Sequence, residues 1–308
     1  MKKQYQSNIF VVGSSNTDMV VKTKHLPRSG ETVIGGSFFM NPGGKGANQA
    51  VAAARLGGKV KLICKTGNDF FGNMSRLSFE EEGIDTSFVL SDYQNPSGVA
   101  LIMVDDKGEN CIAVASGSNA NLLPLDMAPV VGLIKNTDIV LMQLEIPLTT
   151  VKFLSAVACY IGATVILNPA PAMPLFPNIF KDFHILTPNE TEAEMLSGVK
   201  IVDEASAEKA ARVIAEMGVQ YVIITLGAKG ALVFDRAEGK AEIIAAPQVV
   251  AVDTTAAGDV FNGALAVAIA QKQSIAEAAR FACKAAAISV TRQGAQSSAP
   301  YRKEVDSF

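Results

Sequence analysis

The stretch DIVLMQLEIPLTTVKFLSAVACYIGATVILN, residues 138–168, holds two short apolar runs on either side of a longer segment. The runs at 138–144 and 163–168 have the length and composition of buried strands. The segment between them, 147–161, predicts a helix. A strand, a helix and a second strand in this order form a parallel pair that the helix covers on one face. This stretch therefore predicts an α/β fold.

The same alternation runs through the rest of the chain. Further strands are predicted at 9–13, 60–67, 183–189 and 221–227, and further helices at 46–57, 70–82, 189–197, 203–217, 257–271 and 274–290. Strands that are apolar along their whole length are buried on both faces. The sequence therefore predicts a mainly parallel central sheet with helices on both sides.

Two segments interrupt the alternation. Residues 19–40 are strand-like and glycine-rich with no room for a helix, and residues 98–115 predict a hairpin about the turn DDKGEN. In one interpretation, these segments contain about four strands that form a small second sheet, apart from the main one. A small exposed sheet either closes over a site or pairs with another subunit. The alternative is that these strands simply extend the main sheet.

Length and composition describe an ordinary globular chain. It has 308 residues, 49% of them hydrophobic and 19% charged, with a net charge of −3. It can form one large domain or a main domain with an appendage, and it lacks the basic character of a nucleic-acid-binding protein. The apolar run at 9–12 is too short for a signal peptide or a membrane span. Four scattered cysteines without a CxxC pair predict neither zinc nor disulfides, which indicates the cytoplasm.

The stretch NPGGKGANQAVAAARLG, residues 41–57, looks like a phosphate-binding loop. However, a P-loop needs a glycine where this chain has Phe39 and a hydroxyl residue where it has Gly46. What remains is a tight turn leading into a helix N-terminus. Such a turn suits close approach of a ligand, and it equally suits an ordinary helix start.

The stretch VDTTAAGDVFNGALAVAIAQ, residues 252–271, is more informative. It follows a strand-like segment at 246–252 and leads through small residues into a helix whose first turn holds Asp259. One explanation of Asp259 needs no function, because the helix dipole favours acidic residues in the first turn of any helix. The sharper interpretation is that the free N–H groups bind an anion while Asp259 takes a proton from a hydroxyl, as phosphoryl transfer to an alcohol requires.

Two further segments fit a nucleotide-dependent reaction. In TPNETEAEML, residues 187–196, Asn189 and Glu192 are spaced either as a helix capping box or for positioning Mg²⁺ and its waters. ITLGAKGA, residues 224–231, is a strand that enters a glycine turn and could line a nucleotide. Each segment alone is weak evidence for a nucleotide site, but the order of the segments along an α/β chain strengthens that interpretation.

Taken together, these blocks resemble the ribokinase-like (pfkB) family of sugar and nucleoside kinases. GGKGANQAVAAARLG (43–57) is similar to the first signature of the family and DTTAAGDVFNGAL (253–265) to the second. LMQLEIP, LNPAPA, TPNETEAE, TLGAKG and SVTRQGAQSSAP occur in the order of the ribokinase branch. The resemblance implies one kinase domain over 1–308, with a three-layer αβα fold. It also implies a small β-sheet lid, formed by about 16–42 and 97–115, that makes a homodimer contact.

The resemblance also implies the reaction and the sugar site. The reaction would be phosphorylation of D-ribose by ATP at the 5-hydroxyl, giving ribose 5-phosphate and ADP. The expected sugar-binding residues are Asn16, Asp18, Gly44, Lys45, Asn48 and Glu145. Asp259 would be the base, and the backbone N–H groups of Ala256, Ala257 and Gly258 would form the anion hole.

For the nucleotide and the metals, the resemblance assigns Asn189, Thr225, Gly227, Gly230, Gly258 and Cys283 to ATP. Glu192 would act on Mg²⁺ indirectly. The expected site of an activating K⁺ ion comprises Asp253, Thr255, Ser289, Arg292, Gly294 and Ser298. Cys283 stands where relatives often carry Asn or His near the adenine, and its other interpretation is a small buried helix residue.

Three alternatives to a ribose kinase stay open at this point. The nearest is a 2-deoxyribose kinase, against which Asn16 argues because a buried amide needs the missing hydroxyl. Another sugar or a nucleoside could be the substrate. A non-catalytic sugar sensor would be expected to have lost Asp259 or Gly258, and both are present.

Overall fold

The structure is a computed structural model that describes residues 7–308, and these residues form thirteen strands and nine α-helices. The expectation about a signal peptide rests partly on residues 1–6, which lie outside the described residues. The strands are β1 (Asn8–Val12), β2 (Asn16–Lys22), β3 (Ser37–Gly43), β4 (Lys59–Gly67), β5 (Asp85–Asp92), β6 (Gly98–Val104), β7 (Asn110–Ala115), β8 (Ile139–Met142), β9 (Thr164–Leu167), β10 (Ile185–Leu186), β11 (Tyr221–Thr225), β12 (Gly230–Asp235) and β13 (Lys240–Ala245).

The helices lie largely where the apolar periodicity predicts them. They are α1 (Lys45–Arg55), α2 (Phe70–Glu81), α3 (Ala128–Val131), α4 (Leu148–Ile161), α5 (Glu190–Ser197), α6 (Glu204–Glu216), α7 (Ala257–Ala270), α8 (Ile275–Ser289) and α9 (Arg302–Ser307). The seven predicted helices are confirmed to within about two residues at each end. Within residues 7–308, no helix has both the length and the apolar character needed to cross a membrane.

The main sheet has nine strands in the order β13-β12-β11-β10-β9-β8-β1-β4-β5. All neighbours from β11 to β5 pair in parallel, and the antiparallel pairs are β11–β12 and β12–β13 at one edge. Neighbouring side chains of a strand point to opposite faces. Ile9 and Val11 accordingly join the core beneath α1, α7 and α8, whereas Phe10 and Val12 join the core beneath α4 and α6. The predicted α/β fold with helices on both faces is confirmed.

A second, four-stranded sheet has the order β3-β2-β6-β7. β6 and β7 form the hairpin predicted for 98–115, and β2 pairs in parallel with β6. The predicted separate small sheet is therefore confirmed, and the alternative that its strands extend the main sheet is wrong.

Two features of the main sheet differ from the sequence predictions. The strand-like segment 246–252 forms no strand, because it contains Pro247 and runs as a loop from the sheet edge to α7. The sequence analysis missed β5, β12 and β13. β5 and β13 are the two edge strands, and their partial exposure gives them mixed polar and apolar residues instead of an apolar run. β12 lies inside one edge and is buried over its first five residues, so exposure does not explain why it was missed.

Candidate active site

The site lies at the carboxyl ends of the parallel strands, where α/β proteins bind their ligands. The segments that line it follow five neighbouring strands: Gly13–Asn16 after β1, Glu145 after β8, Asn168 after β9, Thr187–Asn189 after β10, and Thr225 at the end of β11. The small sheet begins here too, because Asn16 is the first residue of β2.

The first glycine stretch packs the start of α1 against the loop after β1. Gly44 has a φ of 88°, and a Cβ there would lie 2.7 Å from the amide nitrogen of Asn16. A Cβ on Gly46 would lie 2.6 Å from the amide nitrogen of Ser14. The amide of Lys45 donates to the Glu145 carboxylate over 3.0 Å. These glycines therefore serve close backbone packing, which explains their spacing without a P-loop.

Helices α1 and α7 approach closely at Gly263, where a Cβ would lie 2.7 Å from the carbonyl oxygen of Gln49. This close approach places two α1 amides against the carboxylate of Asp259. Asn48 donates to one oxygen and Gln49 to the other, each over 2.9 Å. The side chain of Asp259 is thus held between the two signature stretches.

Asp259 lies in a charged but largely dry environment. Burial raises the pKa of its carboxyl group, while Lys45 and the amides of Asn48 and Gln49 oppose that rise. The pKa of Lys45 is raised in turn, because Asp259, Glu145 and other nearby carboxylates outweigh the effect of its burial. A carboxyl group with a raised pKa beside a half-buried ammonium group is suited to taking up a proton.

Asp18 on β2 completes the carboxylate cluster. Its pKa is raised from 3.8 to about 6, first by burial and then by Glu145 and Asp259, with Lys45 acting in the opposite direction. Folding therefore makes Asp18 bind its proton more tightly. The ionised carboxyl destabilises the fold above about pH 6, and this cost is absent below pH 3.8, where both states are protonated.

We expect Asp18→Asn to raise the free energy of unfolding at pH 7.5 by as much as about 3 kcal/mol, since it removes this cost. The gain should vanish near pH 4. Urea unfolding at both pH values measures it, with Asp306→Asn in the exposed part of α9 as the matched control. A gain of equal size at both pH values would contradict the assignment of the cost to ionisation.

The amino end of α7 is a turn of small residues. Ala256 has a φ of 58°, in the left-handed region that non-glycine residues rarely occupy. The amide of Ala257 donates to the carbonyl of Thr254 over 3.2 Å. Within residues 7–308, the amides of Ala256 and Gly258 have no acceptor. Two of the three expected anion-hole donors are therefore free at a helix N-terminus.

Two cavities meet at this turn. One, of about 200 Å³, is lined by Lys45, Asn168, Glu192 and Asp259 among others, and the other, of about 530 Å³, extends over the apolar residues of α7 and α8. Both are lined by Asn189, Thr225, Thr254, Ala257 and Gly258. The two cavities could thus hold two ligands that meet beside Asp259.

The larger cavity contains the expected nucleotide residues Asn189, Thr225, Gly227, Gly230, Gly258 and Cys283. Its walls include Ala246, Pro247, Val249, Phe261, Ala286 and Val290. Cys283 is buried on α8, and burial raises the pKa of its thiol to about 11. The thiol therefore stays protonated and unreactive at neutral pH.

Asn189 and Glu192 form a reciprocal capping box at the start of α5, with bonds of 2.8 and 2.9 Å. Burial raises the pKa of Glu192. Glu192 also lines the smaller cavity. The capping interpretation is thus confirmed. The capping bond does not take Glu192 away from the cavity, so its carboxyl group can also act there. Within residues 7–308, no three His, Cys, Asp or Glu side chains are grouped to hold a metal ion by themselves.

The six residues expected at the K⁺ site lie on two loops and the end of α8. The Asp253 carboxylate accepts hydrogen bonds from the amide of Gly294 over 2.9 Å and from the amide and hydroxyl of Thr255. Burial raises the pKa of Asp253, but these bonds outweigh it and leave the pKa below its ordinary value. Ser289 and Ser298 are buried, and Arg292 pairs with Glu304. The structure thus brings the two loops together.

Several polar residues of the site were missed from sequence. Asn119, in a short turn after β7, accepts from the amide of Ser15 over 2.9 Å and donates to the side-chain oxygen of Asn16 over 2.8 Å. Gln49, Gln143 and Asn168 form a buried amide chain behind Asp259. Gln49 could have been found, since it follows Asn48 in the first signature. Gln143 and Asn168 stand in the blocks LMQLEIP and LNPAPA, whereas no local pattern marks Asn119.

Comparison with known proteins gives a consistent result. Residues 6–302 match the family described as pfkB family carbohydrate kinase. A ribokinase of Haemophilus influenzae is 46% identical over 303 residues, which span 98% of each chain. The solved structure of a Thermotoga maritima ribokinase has a TM-score of 0.89 at 40% identity, with 98% of each chain covered. An Arabidopsis thaliana ribokinase complexed with ribose and ATP has a TM-score of 0.90 at 32% identity, again covering 98% of each chain.

The fold and these likenesses place the chain in the class of α/β proteins with a ribokinase-like fold. More specifically, the chain belongs to the pfkB family of carbohydrate kinases.

Proposed function

We propose that the protein phosphorylates D-ribose with ATP at the 5-hydroxyl, giving ribose 5-phosphate and ADP. The observation that carries this proposal is the position of Asp259, which is buried beside free helix amides where two cavities meet. The similarity to ribokinases, one of them solved with ribose and ATP, supports the choice of substrates.

The sugar would lie in the smaller cavity, beneath the small sheet. Of the six expected sugar-binding residues, Lys45 lines this cavity, Asn48 donates to Asp259, and Glu145 accepts from the amide of Lys45. Together with Asn16, Asp18 and Gly44, they would bind the sugar hydroxyls. Asp259 would accept the proton of the 5-hydroxyl as that oxygen forms a bond to the γ-phosphorus. The bond between the γ-phosphorus and the bridging oxygen would break, and ADP would leave with the electron pair.

The amino end of α7 would stabilise the phosphoryl group during transfer. The free amides of Ala256 and Gly258 point from a helix N-terminus, which favours negative charge. The Ala257 amide, which already donates to Thr254, would contribute only if the turn adjusts. The nucleotide would occupy the larger cavity, with its base among apolar walls near Cys283.

The residues present also fit the two metal ions. Glu192 lines the smaller cavity beside the amino end of α7, and Mg²⁺ prefers a carboxylate oxygen together with water. Mg²⁺ would supply charge neutralisation of the phosphates, with Asn189 and Glu192 positioning its waters. The carboxylate of Asp253 and the hydroxyls of Thr255, Ser289 and Ser298 are oxygen donors, which suit K⁺.

We further propose that the small sheet is a lid that covers the sugar and pairs with a second copy of the chain. Strand pairing places Phe39, Ile112 and Val114 on the face of Asn16 and Asp18, and Phe38, Met40 and Leu101 on the other. All six are exposed. Because exposed apolar surface on both faces favours association, we expect sedimentation to give the mass of a dimer. A monomer at micromolar concentration would contradict the pairing.

The enzymatic proposal is tested by coupled ADP release with Mg-ATP and K⁺, comparing D-ribose with 2-deoxy-D-ribose. Preference for ribose is the expected result. Preference for the deoxy sugar would retain the chemistry and change the substrate. Absence of turnover with every sugar and nucleoside tried would favour a sugar-binding protein with a kinase fold.

A further inference from the structure

A chain of three buried amides lies directly behind the carboxylate of Asp259. The Nε2 of Gln49 donates to Asp259 over 2.9 Å and to the side-chain oxygen of Asn168 over 3.1 Å. The Oε1 of Gln49 accepts from the Nε2 of Gln143 over 2.6 Å. Asn168 in turn donates to the carbonyl of Thr187 over 3.1 Å. Gln49 and Gln143 are completely buried.

The donors and acceptors of this chain fit together in only one direction. A backbone carbonyl only accepts, so the Nδ2 of Asn168 must face Thr187 and its oxygen must face Gln49. The ionised Asp259 also only accepts, so both hydrogens of the Gln49 amide are used on these two partners. The oxygen of Gln49 then requires a donor, and Gln143 provides it. Rotation of any one amide would place two acceptors or two donors against each other.

The chain of amides ends at Gln143, whose side-chain oxygen packs against the backbone and makes no further hydrogen bond within the described part of the protein. Within residues 7–308, the Oε1 of Gln143 is buried without a hydrogen-bond partner. It lies against Gly13, where a Cβ would come within 2.1 Å of it. The absence of a side chain at Gly13 thus gives Gln143 the room to reach Gln49.

We propose that Gln49, oriented by Gln143 and Asn168, is a positioning residue that keeps the Asp259 carboxylate ionised and aimed at the sugar hydroxyl. This inference rests on the proposed function, because it gives Asp259 the role of base. Gln49 touches neither substrate in this arrangement and acts through Asp259 alone. Asn48 holds the second carboxylate oxygen but also lines the sugar region, so only Gln49 can be altered without changing a proposed substrate contact.

The charges that face Asp259 come from four elements and set its titration. Lys45 on α1 favours the ionised form, whereas Asp18 on β2, Glu145 after β8 and Glu192 on α5 oppose it. A buried carboxylate that loses one of its two amide donors in such surroundings holds its proton to a higher pH. Loss of the Gln49 donor should therefore move the pH dependence of the reaction towards alkaline pH.

The test is Gln49→Met, which keeps the length of the side chain and removes the donor. We expect kcat with ribose to fall about 10- to 100-fold. The acidic limb of the kcat profile between pH 5 and 9 should move about one pH unit towards alkaline pH. The KM for ribose should stay within about threefold of the original value. Gln143→Met, which removes the donor that the oxygen of Gln49 requires, should shift the same limb in the same direction by a smaller amount.

Gln220→Met is the matched control, because Gln220 is exposed just before β11, at the end of that strand away from the site. It should change neither rate nor profile. An unmoved acidic limb in both Gln49→Met and Gln143→Met, even with reduced stability or rate, would overturn the positioning role. Turnover of ribose by the unaltered protein tests the proposed function separately, so the failure of one inference is distinguishable from the failure of the other.

Discussion

Asp259→Asn is expected to lower kcat by about 10²- to 10⁴-fold, the usual contribution of a general base. The substitution keeps the shape of the side chain and removes its capacity to take up a proton. It also places an amide against the two amide donors of Asn48 and Gln49, only one of which can still find an acceptor oxygen in a fitting orientation. Because the cavities are otherwise unchanged, binding of ribose and ATP should persist.

Three measurements separate a lost base from a damaged fold. Calorimetric titration should give ribose affinity within a few-fold of the original value, and thermal unfolding should not show a large loss of stability. The residual activity should lose the acidic limb that Asp259 produces. Asp306→Asn on α9, which removes only an exposed ion pair, is the control for the same chemical change. A kcat near the original value in Asp259→Asn would remove Asp259 from the mechanism.

The fold is largely readable from sequence because its central strands are buried on both faces. The apolar runs of β1, β4, β8 and β11 carry their own signal, and so do the helices between them. The edge strands β5 and β13 carry a weaker signal, since one side of each faces solvent or a loop. The segment 246–252 is apolar for a different reason, because it lines the wall of the larger cavity. Apolar composition alone cannot separate a strand from a cavity wall.

The site is readable only where its residues fall within short blocks. Asn48 and Asp259 belong to two such blocks, and the structure places them in direct contact although they are 211 positions apart. Asn119 lies outside every block that the sequence analysis quotes, and Gln143 lies in LMQLEIP with no role predicted for it. Their significance comes from partners 94 to 104 positions away. Such contacts arise from the packing of α1 against α7, of the end of β8 against α1, and of the turn after β7 against the loop after β1. No local pattern reports them.

Asn16→Leu is expected to abolish discrimination between ribose and 2-deoxyribose. The structure gives the reason, because Asn119 fixes which end of the Asn16 amide is presented. The amide and carbonyl of Ser15 lock the orientation of Asn119, and its Nδ2 takes the oxygen of Asn16. The Nδ2 of Asn16 is therefore left to donate towards the sugar region, where it would bind the 2-hydroxyl oxygen. Without that hydroxyl, a buried donor loses its partner.

The measurement is kcat/KM for both sugars in the original protein and in Asn16→Leu. For ribose, kcat/KM should fall by about 10²-fold or more, because a site built around a hydrogen bond depends strongly on it. For 2-deoxyribose the fall should be much smaller, so that the two values converge. Asn119→Leu should reduce the preference in the same direction, since it frees the Asn16 amide to rotate. Equal losses on both sugars in Asn16→Leu would show that Asn16 supports the site generally and does not read the 2-hydroxyl.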